Sequence, residues 1–488
     1  MSRFMRVAYF LMLVAPMVSA IELTIPLVAP SGAALVKGNL AGTTEPNTFF
    51  NNVLDNLVQI TNTPPFEDHT DFSYDIEYEE DIFPASTAIT PYPEATNITV
   101  GQGFYDIISH LPQGTQVHWG VNLREYNLTA TYLETVALMN AFSSPAVVEK
   151  GITLKFIEVG NEADLYYDNG GQYVSEWEKF AYNVSMTANL SNTSYTKLIG
   201  AAFAGSSHNN LSGFSPQAIF NLGILESPAG ELIETISQHQ YTVLQDLMTK
   251  SYIRGNLSVF NPDIEATFAN GLNYILGETN SMSCHGAPDV SNTAGAALWL
   301  LDYSLYATQI GISRIHFHEG IGYKYNLIQP VTLNYSILDG SPIAPLAPHI
   351  QPPYYAAIIA AEAIGTSGTT QAVEIVIDEN DVSGYAFYEN GVLSKAVLIN
   401  TIAYFVGAGE RNSTHIDFSF TGSGNTAKEM SVKTLKIGYA TDTTNLTWGG
   451  QTYETSDGRV SGHLTVDILP VSSGVDLQET EAILVTFL

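Results

Sequence analysis

Two glutamates stand at matching positions, each directly after a short apolar segment. Residues 156–159 run into a Gly-Asn-Glu sequence that contains Asn161 and Glu162, and residues 274–277 run into Glu278. Glycoside hydrolysis requires such a pair, since one carboxylic acid protonates the leaving oxygen and the other carboxylate attacks the anomeric carbon. A single glutamate at a strand end is usually a solvated cap. The prediction of a glycosidase site therefore depends on the two glutamates together.

The elements that must position this pair follow from an alternation of apolar and helical patterns between residues 115 and 320. We predict strands at 116–122, 154–160, 197–204, 233–241, 274–277 and 314–318, and helices at 130–142, 173–190, 216–225 and 293–309, with a later helix at 354–364 that closes the pattern. Strands that alternate with helices predict a parallel sheet, and this number of units predicts a (β/α)8 TIM barrel. Glu162 and Glu278 would then end the fourth and seventh strands, where such barrels place their catalytic residues.

A third feature lies on the predicted sixth strand. Strand parity puts His239 and Tyr241 on one face at its end. A tyrosine there could donate a hydrogen bond to the nucleophile and stabilise its charged form. The alternative is a core aromatic residue that closes the barrel, and the pattern does not separate the two.

The C-terminal part of the chain has a different pattern. We predict short strands at 372–377, 384–388, 396–399 and 482–487, with hairpin signals at Asn390-Gly391 and Asp457-Gly458. This is typical of an antiparallel β-sandwich domain, which we assign to residues 366–488. The barrel is assigned to residues 21–365, although residues 21–30 could instead form a strand of the β domain.

The charge balance restricts the function. The chain has 488 residues, with 49 Asp and Glu against 18 Lys and Arg, for a net charge of −31. A nucleic-acid binder needs a basic surface, so this class is excluded. Disorder is also excluded, because 45% of the residues are hydrophobic.

The N-terminal segment predicts export. Residues 1–20 combine Arg3 and Arg6 with an apolar stretch and small residues up to Ala20, as in a secretory signal peptide. We therefore expect a secreted, extracellular protein without a membrane span, N-glycosylated at some of its Asn-x-Ser/Thr sequences. Cys284 is the only cysteine, so no internal disulfide can form. We expect it to be a buried apolar residue rather than a catalytic one.

Taken together, these residues resemble glycoside hydrolase family 79, a family of the retaining clan A. Within it, the sequence is similar to the fungal β-glucuronidases related to heparanase. The resemblance rests on the Asn161-Glu162 pair, on Glu278 and on the small C-terminal β domain. It covers most of the chain from about residue 47 onward.

The resemblance implies a retaining exo-β-glucuronidase that removes terminal β-linked glucuronic acid, or its 4-O-methyl ether. Glu162 would be the general acid/base, Glu278 the nucleophile, Asn161 the partner of the sugar 2-hydroxyl and Tyr241 the hydrogen-bond donor to the nucleophile. The uronate carboxylate would be held by backbone amides of residues 283–286 and by a tyrosine, which implies the following binding residues: His285, Gly286, and Tyr323 or Tyr325. The choice between the two tyrosines stays open. No metal or cofactor is implied, and we expect a monomer.

Three departures from the family pattern keep other functions open. Residues 27–38 lack the glutamate that ends the first strand in the family, residues 64–69 contain no apolar strand, and the loop after Tyr241 is short. The resemblance places a cysteine in that loop as a partner for Cys284. A catalytically impaired member or a carbohydrate-binding pseudoenzyme is one alternative, and a heparanase-like endo-β-glucuronidase is the other. His316 and His318 could be a metal pair, but without a Cys or carboxylate cluster beside them we expect hydrogen-bonded histidines of the barrel instead.

Overall fold

The computed structural model describes residues 19–30, 34–35, 49, 52–53, 70–210, 213–242 and 247–488. The predicted signal peptide lies outside the described residues except for its last two positions, and residues 64–69 lie wholly outside them. Within the described ranges, no helix has both the length and the apolar content that a bilayer crossing requires.

The core of the molecule is a six-stranded parallel sheet. Its strands, in spatial order, are Ile312–Phe317, Asn273–Asn280, Ile233–Tyr241, Lys197–Phe203, Thr153–Val159 and Gln116–Val121. The central strands are buried along almost their whole length, as expected for a parallel sheet covered on both faces. All six strands were predicted from the sequence. The closure of an eight-stranded barrel stays a prediction, because the sheet as described has six strands.

Helices follow the strands and cover the sheet. They span Gln102–Asp106, Leu128–Ser143, Pro145–Glu149, Gly170–Thr187, Pro216–Asn221, Lys250–Ser258, Asn261–Ala269, Ala294–Gln309 and Pro353–Ile364. Local sequence explains where several begin. The side chains of Asn127, Asn169 and Ser215 accept hydrogen bonds from backbone N–H groups of the first turn, which carry no partner within the helix.

The C-terminal domain contains two sheets. One is antiparallel and consists of Ala34–Leu35, Gln371–Glu374, Val382–Glu389, Val392–Asn400, Glu481–Phe487, Glu429–Lys436, Thr447–Trp448 and Asp467–Pro470. The other consists of Ser19–Pro26, Ser413–Thr421 and Val475–Gln478, and its first two strands are parallel. Leu23 and Ile416 of the second sheet share one buried core with Leu398 and Ile483 of the first. The N-terminal strand is thus part of the β domain.

Three small sheets lie around the core. They pair Thr70–Phe72 and Glu79–Ile82 with Asn97–Val100, Ile328–Gln329 with His349–Ile350, and Leu333–Tyr335 with Pro342–Leu346. The first of these is followed by the helix Gln102–Asp106. Residues 83–96 join its second and third strands and reach the end of the parallel sheet that carries the candidate site.

Arg254 connects the helical layer to the C-terminal domain. Its Nη1 lies 2.6 Å from Asp302 Oδ2, and its Nη2 lies 2.6 Å from Glu374 Oε1 and 2.7 Å from Tyr385 Oη. Asp302 is completely buried. The guanidinium therefore compensates a carboxylate that water cannot reach.

Replacing Arg254 by methionine is expected to lower the free energy of unfolding by roughly 3–5 kcal/mol, because the variant leaves the charge of Asp302 buried without its partner. Urea unfolding followed by fluorescence measures this. Lys179→Met is the matched control, since Lys179 pairs with Glu176 at an exposed position and such a pair contributes roughly 0–1 kcal/mol. An equal loss of unfolding free energy in both variants would contradict the stabilising role of the Arg254–Asp302 pair.

Candidate active site

Glu162 follows the strand Thr153–Val159 and begins the short 3-10 turn Ala163–Leu165. Its backbone is left-handed, with φ of 50°, a conformation that costs free energy for a residue with a side chain. The Glu162 N–H donates to Ala202 O at 2.7 Å, which ties the turn to the neighbouring strand end. This hydrogen bond to the neighbouring strand thus stabilises the left-handed backbone of Glu162. Asn161 immediately precedes it and is half-buried.

Glu278 lies inside the strand Asn273–Asn280, two residues before its end. The register against the strand Ile233–Tyr241 shifts between Leu276 and Glu278, so Gly277 forms a bulge. A β-carbon at Gly277 would lie 2.0 Å from Ser237 Oγ, so a larger residue there would displace the buried side chain of Ser237. A bulge re-aims the next side chain, and here that side chain is Glu278.

The two carboxylates meet at one histidine. His239 Nδ1 lies 3.0 Å from Glu162 Oε1 and 3.9 Å from Glu278 Oε2. One ligand atom from each of Glu162, His239 and Glu278 lies within 4.8 Å of the others, close enough to share a metal ion. His239 is almost fully buried, and the side chain of Glu278 is 8% exposed against 26% for Glu162.

The charge of His239 is coupled to its neighbours. Burial alone lowers the pKa of this imidazole, but the charge of Glu278, followed by the hydrogen bond and charge of Glu162, outweighs burial and raises the pKa from 6.5 to about 9. His239 is therefore a cation between two carboxylates at neutral pH.

This shift predicts a pH dependence of stability. The folded protein holds the His239 proton more tightly than the unfolded chain, so the stabilisation is complete below pH 6.5 and is lost as the pH rises through about 9. The contribution is roughly 3 kcal/mol at most. The melting temperature should fall between pH 6.5 and 9.5 by more in the wild type than in His239→Asn, whose amide donates near Nδ1 without titrating. His349→Asn, at a site near the surface, should keep the wild-type slope, and a His239→Asn slope equal to the wild-type slope would refute the coupling.

Tyr241 fixes the second carboxylate. Its hydroxyl donates to Glu278 Oε1 and lies 2.8 Å from His318 Nδ1, which is itself 3.3 Å from Glu278 Oε1. Burial, followed by the charge of Glu278, raises the pKa of Tyr241, so the phenol stays protonated and can donate. The sequence left Tyr241 as either a hydrogen-bond donor or a core aromatic residue. In the structure it donates a hydrogen bond to Glu278.

The segment after the second glutamate is tightly turned. Cys284, His285 and Gly286 are all left-handed, with φ of 58°, 71° and 83°. The expectation that Cys284 is buried is wrong, because this turn follows the end of the strand and carries the thiol to the surface. The turn also brings the backbone of residue 286 against Tyr325.

The structure separates the two tyrosines that the sequence left open. Tyr325 Oη lies 3.0 Å from His318 Nδ1, beside the carboxylate pair. Tyr323 stacks on the ring of His285 at 3.9 Å, and its hydroxyl donates to Glu94 Oε1 at 2.7 Å. His285 Nε2 lies 3.0 Å from the same oxygen of Glu94. Two residues, His285 and Tyr323, thus hold the carboxylate of Glu94, which comes from a third part of the chain.

Sequence reasoning missed Glu94, and it named His239 and His318 without giving either a role beside the two glutamates. Strand parity with Tyr241 was the available signal for His239, and the His316-x-His318 pattern was the signal for His318. The two histidines of that pattern do not act together, because the ring of His316 lies 4.7 Å from that of His118 in the interior. Nothing in the local sequence around Glu94 indicates its position.

The chain matches known proteins over most of its length. Residues 384–484 match the model described as the glycosyl hydrolase family 79 C-terminal beta domain. The chain is 25% identical to a β-glucuronidase of Aspergillus niger, over 85% of this chain and 80% of that protein. It is 27% identical to a β-glucuronidase of Neurospora crassa, over 84% and 80%. The chain is thus similar to family 79 glycoside hydrolases in its C-terminal domain and to fungal β-glucuronidases over most of its length.

A solved structure shares the fold of this chain. It is a 4-O-α-L-rhamnosyl-β-D-glucuronidase from Fusarium oxysporum in complex with Rha-GlcA, with a TM-score of 0.75 and 22% identity. The similarity covers 96% of this chain and all of that one. The resemblance stated from the sequence is confirmed, as is the coarse architecture of a TIM-like core with a C-terminal sheet domain.

Proposed function

We propose that this protein is a retaining exo-β-glucuronidase that works by double displacement. The observation that carries the proposal is the approach of Glu162 and Glu278 to within 4.8 Å around His239. Retaining glycosidases hold their two carboxyl groups about 5–5.5 Å apart, whereas inverting enzymes leave about 6.5–9.5 Å for a water molecule. The short separation favours direct attack by a carboxylate.

The surroundings of the two glutamates divide the roles. Glu278 is buried and oriented by Tyr241 and His318, as suits a nucleophile that must approach the anomeric carbon along one line. Glu162 is more exposed, as suits the group that must later admit water. In the first step Glu162 gives its proton to the glycosidic oxygen, the bond from that oxygen to the anomeric carbon breaks, and Glu278 forms an ester with the carbon.

The second step reverses the proton transfer. Glu162, now a carboxylate, takes a proton from water while the water oxygen attacks the anomeric carbon and releases Glu278. His239 donates to Glu162 through Nδ1, so one carboxylate oxygen of Glu162 is held while the other exchanges the proton. The sugar leaves with its original β configuration.

The hydrogen-bond donors beside the two glutamates suit the binding of a uronate carboxylate. Tyr323 Oη and His285 Nε2 already hold a carboxylate, that of Glu94. The pKa of Tyr323 is raised by burial and by the charge of Glu94, so the phenol remains a donor. The β-glucuronidases of Aspergillus niger and Neurospora crassa, to which the chain is similar, support the same substrate class. Asn161 and Gly286 complete the proposed binding residues.

We also propose that the parallel sheet is part of a closed (β/α)8 barrel and that the protein is exported as a glycosylated monomer. Cleavage after Ala20 would keep the paired residues from Ile21 to Pro26. N-terminal sequencing of protein from the culture medium tests this, and a chain that begins at Met1 would contradict it.

A substrate panel tests the proposed activity. Wild type and Glu278→Ala are assayed on matched aryl β-glucuronide, β-glucoside and β-galactoside, and the first-formed anomer is read by proton NMR. Hydrolysis of the glucuronide alone, with β-glucuronic acid formed first, is expected. Equal background rates in both proteins would indicate a pseudoenzyme. Internal cleavage of a uronate-containing polysaccharide without action on the aryl glycoside would indicate an endo enzyme.

A further inference from the structure

The donors that the proposed function assigns to the substrate carboxylate are occupied by a carboxylate of the protein itself. Glu94 Oε1 accepts from Tyr323 Oη at 2.7 Å and lies 3.0 Å from His285 Nε2. These two rings stack face to face, with 10° between their planes. The two stacked donors are therefore both directed at one oxygen of Glu94.

This donor pair adjoins the two glutamates. The ring of Tyr323 contacts that of His318 edge to face at 5.6 Å, and His318 Nδ1 lies 3.3 Å from Glu278 Oε1. A carboxylate on a sugar whose anomeric carbon faces Glu278 would approach the same region. Glu94 and such a substrate group would thus compete for the same donors.

The position of Glu94 is set by its own segment. Two residues earlier, Tyr92 Oη accepts from the backbone N–H groups of Asn334 and Tyr335 at 2.9 and 2.8 Å. Tyr92 also packs against Gly322, next to Tyr323 in the chain. The segment 83–96 is thereby fixed to the loop that carries the donor tyrosine.

We propose that Glu94 acts as an internal competitor of the substrate carboxylate. This inference rests on the proposed function. The side chain of Glu94 is 64% exposed, so it can rotate into water without burying its charge. The hydrogen bond from His285 lowers the pKa of Glu94, burial opposes this effect, and the hydrogen bond from Tyr323 adds to it, so that the pKa is about 2. The competitor is therefore anionic. A bound uronate replaces it with a group of the same charge.

The test compares Glu94→Ala with wild type on the aryl β-glucuronide. Loss of the competitor should lower KM roughly tenfold, the value of one charge-assisted hydrogen bond, and leave kcat within about twofold. The dissociation constant of D-glucuronate, measured by calorimetry in the Glu278→Ala background, should fall by the same factor. Glu80→Ala removes an exposed acid from the preceding strand and should change neither constant.

The possible results separate this inference from the proposed function. Glucuronide hydrolysis with an unchanged or higher KM in Glu94→Ala would overturn the inference and leave the function standing, since Glu94 would then position His285 and Tyr323. Activity that appears only in Glu94→Ala would support it in a stronger form. Failure of both proteins to cleave the glucuronide or bind glucuronate would overturn the function and the inference together.

Discussion

Replacing Glu278 by alanine is expected to lower kcat on an aryl β-glucuronide by roughly four to six orders of magnitude, as for removal of a nucleophile in other covalent mechanisms. The physical reason is that no other carboxylate can form the ester. Glu162 is held by the hydrogen bond from His239 Nδ1, and burial keeps the hydroxyl of Tyr241 protonated. Stopped assays with concentrated enzyme measure the residual rate.

Azide distinguishes this role from a structural one. A small anion can enter the space left by the Glu278 side chain and attack the anomeric carbon from that face, so the variant should form the α-glucuronyl azide. Glu234→Ala is the matched control, because Glu234 lies at the opposite, N-terminal end of the strand that carries His239 and pairs with Lys155. It should retain at least half of the wild-type kcat. A Glu278→Ala protein that keeps wild-type activity would refute the proposed nucleophile.

Replacing Glu162 by alanine should lower kcat by roughly 10²- to 10⁴-fold on a substrate with a poor leaving group, the usual contribution of a general acid. The loss should be far smaller on a dinitrophenyl glucuronide, whose leaving oxygen needs no proton. For that substrate, formation of the glycosyl-enzyme stays fast and its hydrolysis becomes slow, so a burst of dinitrophenol is expected. Rapid mixing measures the burst amplitude.

Two results would separate Glu162 from a residue that merely holds its neighbours. Azide should restore turnover and form the β-glucuronyl azide, the anomer opposite to that from Glu278→Ala. Glu162→Gln keeps the size of the side chain and its contact with His239, and it should show the same dependence on the leaving group. An equal loss on both substrates would contradict the acid/base role, since only protonation of the leaving group depends on its basicity.

Much of the site follows from sequence because catalytic groups of parallel β/α folds lie at strand ends. Alternating apolar and helical segments locate the strands, and Glu162 and Glu278 follow from them. Strand parity places Tyr241 and His239 on one face at a strand end, and only the structure separates the donor role of Tyr241 from that of a core aromatic residue. These inferences are local, and each needs only a dozen neighbouring residues.

Other features depend on contacts between distant segments, which local patterns do not contain. The sequence did not decide between Tyr323 and Tyr325, because both follow the same strand and their separation depends on where His318 and Glu94 lie. It misjudged Cys284, because a lone cysteine favours burial, whereas three successive left-handed residues carry this one to the surface. Arg254 gave no signal, since its partners lie 48 to 131 residues further along the chain.

The amino-acid sequence by itself determined the class of chemistry, the two glutamates and the division into a parallel core and a C-terminal β domain. Periodicity and strand ends are short-range properties, so they can be read along the chain. Only the tertiary structure decided that His239 stands between the two carboxylates and that Glu94, 191 residues before His285, occupies its donor. Those contacts form when the ends of different strands and a distant connecting segment converge on one side of the sheet, and their energies depend on burial and charge that exist only in the folded protein.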